Sequence, residues 1–584
     1  MKKTVITFLV AGLFITSLKA QTIQEGMNHL YADRFKSAIG VFEKLLAANP
    51  NNIEATYWLG QVYFDMDDNA KARQVYQKAL ETNGSAPLVL VGLGHADLHD
   101  NKTADARQKF EAAITAATPN AKKGPDPLVL SAIGRANVDA KAGDFNYAIE
   151  KLNLAAEKDP KNTEILLQLG NAYRKARPGE GGGEAFKNYK KALEIDPKFA
   201  VADLRLAKLF ESQKNWELVL EYLNSGLKRD PKFAPSYYEL FYYYFYRAKF
   251  SDAERELANY IANSDNGWEK EYLEAQLNWA KKDFPAAISK AEAVVASTGD
   301  KTKPKVYRLL ADAYFQKGDY ANAKKYSDIF FAKKTTDDLI LPDYELKAEV
   351  LSKLGGTPDE IYSTYLAGVA LDTTVDAKVT FLKKAAKYFK DLKLRDKEGD
   401  IVQKVIELKP KPSINDYFDL TLARYFTPDY TRARDAANVM IEKYPDQVYG
   451  YEWKFNSSNA VDTVKKDSIA VPDALQLLAF AEKDTAKFKK QYLSSVKFLG
   501  AYYINQAKDK EKSLEYFTKW LEADPANATT IQDIINKIKN MPNTTPKAGS
   551  GTPTPAAKPA IKNAGIASPD KTTKKTVNKT VIKK

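Results

Sequence analysis

Residues 51–84, NNIEATYWLGQVYFDMDDNAKARQVYQKALETNG, form a unit that recurs along most of the chain, and this recurrence constrains the fold more than any composition value. Trp58, Leu59, Gly60 and Tyr63 share one stripe of a helix, and Ala72, Tyr76 and Ala79 share one stripe of a second. The turn-forming stretch Asp65 to Asn69 lies between them, so the unit predicts two short antiparallel helices. Such a hairpin cannot cover both stripes alone and has to stack on another of its kind. The next copy is at hand: Gly94, Ala106, Phe110 and Ala113 lie 34 residues after Gly60, Ala72, Tyr76 and Ala79. Small residues permit close helix approach where Gly60 and Ala72 face each other, and the aromatics fill the gap towards the next hairpin.

On these residues the chain resembles the tetratricopeptide repeat family, whose pattern is W-x2-L-G-x2-Y followed by A-x3-F, A and P. Leu169, Gly170, Tyr173, Ala185, Tyr189, Ala192 and Pro197 make one further copy, and Ala311, Tyr314, Gly318 and Ala323 another. The resemblance implies an all-α, right-handed solenoid of about thirteen helical hairpins, counted from the repeat period.

Several segments depart from the repeat. Met1 to Ala20 has Lys2 and Lys3 before the apolar run Thr4 to Thr16 and a small residue at Ala20, the layout of a secretory signal peptide. The expected location is therefore exported, periplasmic or outer-membrane-associated, with no transmembrane span after cleavage. The absence of Cys excludes disulfides, thiolate metal sites and lipid attachment through an N-terminal Cys. Residues 21–337 read as an N-terminal array that starts with Ala38, Phe42 and Pro50 and is punctuated by Asp159-Pro160, Asp196-Pro197 and Asp230-Pro231. Inserts at Thr118 to Pro127 and Arg177 to Glu184 lengthen a connection and an internal turn. The second, RPGEGGGE, lacks the Gly-Lys-Ser/Thr and the preceding strand of a phosphate loop. Residues 338–412 are weakly patterned hairpins of undefined register. Residues 413–541 recover the pattern and end in Thr529 to Asn540, whose Ile531, Ile534, Ile535 and Ile538 suit a capping helix.

Residues 542–584 are rich in Pro, Thr, Ala, Gly and Lys without an aromatic, a composition that predicts disorder. Their nine Lys against one Asp supply +8 of the net +13, and the leader's three Lys another +3. The repeat body is left with only +2, which argues against a basic nucleic-acid groove.

Chemistry is sparse. There are three His and no G-x-S-x-G elbow. His95 and His99 are one helical turn apart, but Ala96 stands where H-E-x-x-H needs Glu and no third ligand is fixed by spacing, so they read as surface residues of a first helix. No catalytic residue, cofactor or metal site is expected.

Binding is where the resemblance says more. In tetratricopeptide proteins the first helix of each hairpin lines the concave groove. Carried over, this selects Tyr57, Gln61, Phe64 and Asp65, then His95, Leu98 and His99, then Leu167, Asn171, Arg174 and Lys175, with Lys208 and Glu211 following. The segment Tyr237 to Phe250, YYELFYYYFYRAKF, reads as one helix with more aromatics than a core stripe needs. Phe241, Tyr244 and Phe250 suit the core. Tyr238, Tyr242, Phe245 and Tyr246 point elsewhere, either into a strongly curved stack or into the groove as a partner anchor.

The sequence thus points to a non-catalytic scaffold that holds protein or peptide partners in the cell envelope. Two alternatives stand beside it. One is an envelope-anchoring protein whose basic tail binds peptidoglycan or another anionic surface. The other is a hydrolase with a site in the 338–410 region, which would show a cleft gathering two carboxylates with perturbed pKa values.

Overall fold

A computed structural model describes residues 22–84, 86–118, 122–265, 267–334, 339–371, 373–462 and 468–542. The leader assigned to 1–20 and nearly all of the tail assigned to 542–584 lie outside the described residues. The chain divides into two compact units, 1–334 and 335–584.

The first unit is built of nine consecutive helix pairs. They are α1 (Ile23–Tyr31) with α2 (Phe35–Ala48), α3 (Ile53–Asp65) with α4 (Asn69–Asn83), and α5 (Pro87–His99) with α6 (Thr103–Ala116). Next come α7 (Pro127–Asp139) with α8 (Phe145–Lys158), α9 (Thr163–Ala176) with α10 (Gly182–Ile195), and α11 (Ala200–Ser212) with α12 (Trp216–Arg229). The last are α13 (Ala234–Phe245) with α14 (Phe250–Asn263), α15 (Glu269–Ala280) with α16 (Phe284–Thr298), and α17 (Pro304–Lys317) with α18 (Tyr320–Lys333).

The second unit has five pairs and a terminal helix. The weakly patterned region resolves into α19 (Leu341–Lys353) with α20 (Pro358–Val369) and α21 (Val375–Asp391) with α22 (Arg395–Leu408). They are followed by α23 (Ile414–Tyr425) with α24 (Tyr430–Lys443), α25 (Val448–Val461) with α26 (Ala470–Ala481), and α27 (Lys489–Asn505) with α28 (Lys510–Ala523). Helix α29 (Ala528–Lys539) buries Ile531, Ile535 and Ile538 against Phe517 and Trp520. Among the described residues there are fourteen all-α hairpins, nine in the first unit and five in the second, one more than the period suggested, and no strand.

The turn inside most hairpins has a common construction. A residue in the left-handed region precedes the N-cap of the second helix: Asp33, Asp67 and Asn101 are spaced by 34, as are Lys214, Ala248 and Lys282. The caps that follow, Asp68, Asn215 and Asp283, accept backbone N–H bonds from the first turn. This construction corrects two readings of the sequence. Tyr237 to Phe250 is not one helix: α13 stops at Phe245, Ala248 takes φ +54°, and Phe250 opens α14. Likewise Gly182 to Glu184 belong to α10, so the Gly-rich turn is confined to Arg177–Gly181.

Hairpins close on a glycine–ring socket. A Cβ on Gly60 would lie 2.1 Å from the Tyr76 ring, one on Gly26 2.4 Å from Phe42, one on Gly94 2.5 Å from Phe110, and one on Gly170 2.4 Å from Tyr189. Tyr76 also sits 2.4 Å from where a Cβ on Gly92 would be, so one ring fills its own hairpin and the gap to the next. Its hydroxyl donates to the Tyr57 carbonyl at 2.7 Å and accepts from the Gln61 amide at 2.8 Å.

Adding a methyl at a socket forces overpacking worth about 1–3 kcal/mol, which exceeds the ~1 kcal/mol that Ala gains over Gly in a helix. Gly60→Ala is therefore expected to lower the urea midpoint of the chain. Gly40→Ala in α2, where a Cβ meets nothing within 4 Å, is expected to raise it.

Candidate functional site

The first helices α3, α5, α7 and α9 pack directly against one another, and this contact thins from α9 to α11. The early inner face is thereby consumed by its own side chains, whereas the later one stays open. Long-range contacts close the coil further. Ala32 is buried in the core built from α9 to α13, and Tyr31 stacks edge-on to Phe199 at 6.2 Å. Ser37 donates through its amide and hydroxyl to Asp265 at 2.9 and 2.7 Å, Arg34 reaches the Lys232 carbonyl at 3.4 Å, and Lys303 pairs with Asp67 at 2.9 Å.

At the centre of this closure is Arg135 on α7, its side chain 6 % exposed. It donates to the Tyr31 hydroxyl and to Glu164 Oε1, both at 2.7 Å, and pairs with Asp139 at 3.3 Å. Its guanidinium also lies 5.0 Å from the Trp58 ring centre, and Tyr31 donates in turn to Glu164. The exposed Lys303–Asp67 pair contributes at most about 1 kcal/mol. Breaking a buried pair such as Arg135–Glu164 costs about 3–5 kcal/mol, so Arg135 carries the closure.

The residues selected as groove-facing divide accordingly. Tyr57, Gln61 and Phe64 are buried: Gln61 is committed to Tyr76, and Phe64 stacks on His95 and His99 at 4.2 and 4.9 Å. Leu98, Leu167 and Asn171 are buried too, Asn171 accepting from Tyr189 at 2.8 Å. His95 and His99 are not surface residues. His95 is 1 % exposed, and burial pushes both rings below the ordinary histidine pKa. The physical reason is the closeness of α3 and α5, which Gly92 and Gly94 allow.

The remaining candidates border the open part. Arg174 is half-buried, and exposed Lys175 donates to the Val138 carbonyl. Lys208 joins Glu239 on α13 and lies 3.3 Å from Glu211. Tyr238, Tyr242 and Phe245 are half-buried, and Tyr246 is 77 % exposed. Tyr242 donates to Gln276 on α15 at 2.8 Å and stacks with Tyr246 at 5.7 Å. Asp33 and Asp65, at the ends of α1 and α3, face solvent within the coil while protein surrounds them. Desolvation, with Asp65 as a like charge, raises Asp33 to about 7; desolvation, opposed by Arg135, raises Asp65 to about 6. Asp65 was among the residues taken from the repeat pattern, but nothing in the sequence signalled Asp33, which acts from a turn.

The second unit has a cleft of about 380 Å³ lined by Lys383, Lys387, Lys390, Glu398, Asp416 and Asp419, among others. Its carboxylates titrate apart: Asp416 falls to about 2 and Asp419 rises through burial. Asp416 opposes its own burial by accepting from Lys409 at 2.6 Å and from the Ser413 amide and hydroxyl at 2.7 and 2.8 Å. Its Oδ2 takes all three bonds as the third residue of the capping box that opens α23, and its Oδ1 lies 3.3 Å from Lys383, so this carboxylate is committed to holding the helix start. Among the described residues no group of three or more His, Asp or Glu converges to hold a metal.

The tetratricopeptide repeat profile matches residues 23–87, 61–122 and 304–328, all within hairpins just described. Residues 23–122 and 304–328 are thus tetratricopeptide repeats, and the chain carries repeats of that family. Similar sequences include the tetratricopeptide repeat and J domain-containing co-chaperone DNJ1 of Cryptococcus neoformans var. grubii, 24 % identical over 205 residues, which are 34 % of this chain and 38 % of that one. Human tetratricopeptide repeat protein 6 is 24 % identical over 209 residues, 35 % of this chain and again 38 % of the relative. The chain therefore spans well under half the length of either. Among solved structures, the C-terminal part of a repeat-containing protein from Cytophaga hutchinsonii is 22 % identical, covering 44 % of this chain and 97 % of that one with a TM-score of 0.27.

Two outcomes follow for this repeat array. Arg135→Ala is expected to lower the unfolding free energy by about 3–5 kcal/mol, read by urea denaturation, and to open the α1–α2 hairpin to limited proteolysis. Because Asp33 and Asp65 titrate higher folded than unfolded, their contribution is fully present below about pH 4 and is lost as pH rises from there through about 6 to 7. An Asp33→Asn/Asp65→Asn chain should show a flatter melting-temperature profile across that window than the parent.

Proposed function

We propose that the protein is a non-catalytic scaffold of the cell envelope that holds a protein or peptide partner against the open inner face of its first unit. Tetratricopeptide repeats are protein-interaction modules, and that coarse function follows from the family. The observation that carries the finer reading is the aromatic wall of α13. Tyr238, Tyr242, Phe245 and Tyr246 are left half-buried or exposed, whereas Tyr57, Phe64, Tyr272 and Tyr307 on other first helices of the unit are buried. Tyr presents a large contact area with a polar tip at modest entropic cost, which suits a partner anchor. The envelope location rests on the Lys2-Lys3 start and short apolar run of the leader. No helix among the described residues is long and apolar enough to cross a membrane.

Anchoring through the tail is the second reading, favoured by its nine Lys against one Asp. The two are separated by crosslinked pull-down from the envelope of the source cell. The full chain, a chain ending at Met541 and a Tyr238→Ala/Tyr242→Ala/Tyr246→Ala chain are compared, with melting curves recorded for each. The scaffold reading expects the first two to recover one protein set and the third to lose it at an unchanged melting temperature. Recovery that depends on the tail and disappears in moderate salt would replace it with anchoring.

A further inference from the structure

In the second unit, α23 and α25 leave a strip of aromatic rings at the surface. Tyr449, Trp453 and Asn456 fall on one stripe of α25 at i, i+4 and i+7, and Phe418, Tyr425 and Phe426 come to meet them from α23 and its end. The rings follow one another without a gap. Between centres, Tyr449 lies 5.6 Å from Phe418, Phe418 6.4 Å from Trp453, and Trp453 5.0 Å from Tyr425 and 6.5 Å from Phe426. Phe426 is 56 % exposed and Tyr449 48 %, with Phe418, Tyr425 and Trp453 half-buried. A contiguous exposed strip of this kind marks a binding surface.

Two donors beside the rings are uncommitted: the Trp453 indole N–H and the Asn456 side-chain amide have no hydrogen-bond partner among the described residues. The ions at the borders are already paired. Arg395, 5.6 Å from the Phe426 ring centre, meets Glu398 at 2.7 Å, and Glu452 meets Lys490 at 2.9 Å. The strip therefore suits a ligand with ring-sized apolar groups, open carbonyls and little charge. A polyproline-type strand has these properties, because its pyrrolidine rings pack on aromatic faces and its carbonyls make no internal hydrogen bond. The chain carries such a composition in the same unit. Residues 542–559, nearly all outside the described residues, hold Pro542, Pro546, Pro553, Pro555 and Pro559 with only two of the tail's nine Lys. In polyproline geometry three residues make a turn, so Pro553 and Pro559 would share one edge about 19 Å apart, enough to cross the strip. Consecutive helices from α25 to α29 touch, which at 8–10 Å per contact puts α29 at most about 40 Å from α25, and the zigzag of paired helices shortens that path. The stretch from Pro542 to Pro553 extends to about 36–40 Å.

We infer that residues 553–559 of the chain's own tail dock on this strip, with Pro rings against Phe426, Trp453 and Tyr449 and carbonyls accepting from Trp453 and Asn456. The inference goes beyond the scaffold reading, which concerns the first unit. Docking removes exposed rings from water. It leaves the tail's other seven Lys, all beyond residue 559, outside the contact and available to an anionic surface.

The test uses the full chain. Because the chain has no Cys, Ser550→Cys provides a single attachment point for a benzophenone crosslinker just ahead of the segment. Irradiation of dilute protein followed by peptide mapping is expected to place the crosslinks of the monomer band on α23 and α25. Phe426→Ala/Tyr449→Ala, at two exposed positions, should lower that yield about tenfold at an unchanged melting temperature. Pro553→Ala/Pro555→Ala/Pro559→Ala should lower it by a similar factor while altering none of the described residues. Crosslinks scattered over the surface, or a yield that neither variant changes, overturn the docking. Crosslinks to α23 and α25 that join two copies alone overturn it as an internal contact and assign the strip to a second copy's tail. If the ring variant melts below the parent, the Pro variant decides. Partner capture through Tyr238, Tyr242 and Tyr246 is read in a different unit, so failure here leaves the scaffold reading standing.

Discussion

The glycine–ring socket is the contact on which the rest of the array depends. A hairpin of two helices of 9 to 17 residues is too small to hold itself together, because such short helices are marginal alone. The socket resolves this by bringing the backbones close enough for one ring to be enclosed on every side. At Tyr76 the enclosure comes from Gly60 of the same hairpin and Gly92 of the next. The interaction that closes a hairpin is thus also the one that couples it to its neighbour, which explains why the motif propagates. Where the ring changes, the socket changes with it: Gly134 receives Leu152, and Gly500 meets Phe517 at a looser 3.1 Å.

Close approach at the sockets has a consequence for the inner face. When α3, α5, α7 and α9 pack on one another, the positions that line a groove in a looser coil become core. Phe64, His95 and His99 form a stack, and Tyr57 is sealed behind Trp58. The coil is tight enough for its first hairpin to meet residues as distant in sequence as Asp265. What remains accessible lies where the first helices part, and there the chain places charged residues and the tyrosines of α13.

Helices and pairing were legible because they follow from local periodicity. The stripe spacing, the Pro residues beyond second helices and the cap residues are all read within one repeat. The fate of individual inner positions was not, since it depends on curvature, and curvature accumulates over several repeats. Gln61 looks identical as a groove residue and as a hydrogen-bond partner of Tyr76 until the radius of the coil is known. The single long aromatic helix expected over 237–250 failed for a local reason: Ala248 holds the left-handed turn that Asp33, Asp67 and Asn101 mark in the first hairpins, and Ala, like Lys214 and Lys282, carries no such signal. In the second unit the weak pattern of α19 to α22 reflects different fillings of the same geometry. Gly368 faces Phe381 and Gly399 faces the Arg424 guanidinium, which is itself paired with Asp400 at 2.8 Å.

A charged arrangement at the coil closure needs its own explanation, because apolar residues would close it at lower electrostatic cost. Arg135 and Glu164 compensate each other, as buried ions must. Asp33 faces Arg205, and Asp65 faces Arg135 and Arg205, yet burial outweighs these cations and both retain protons well above the ordinary carboxylate range. Replacing them with neutral groups would relieve that repulsion without disturbing a core contact. Protonation rather than pairing is thus how these two carboxyls meet their burial, whereas Arg135 and Glu164 meet theirs as an ion pair.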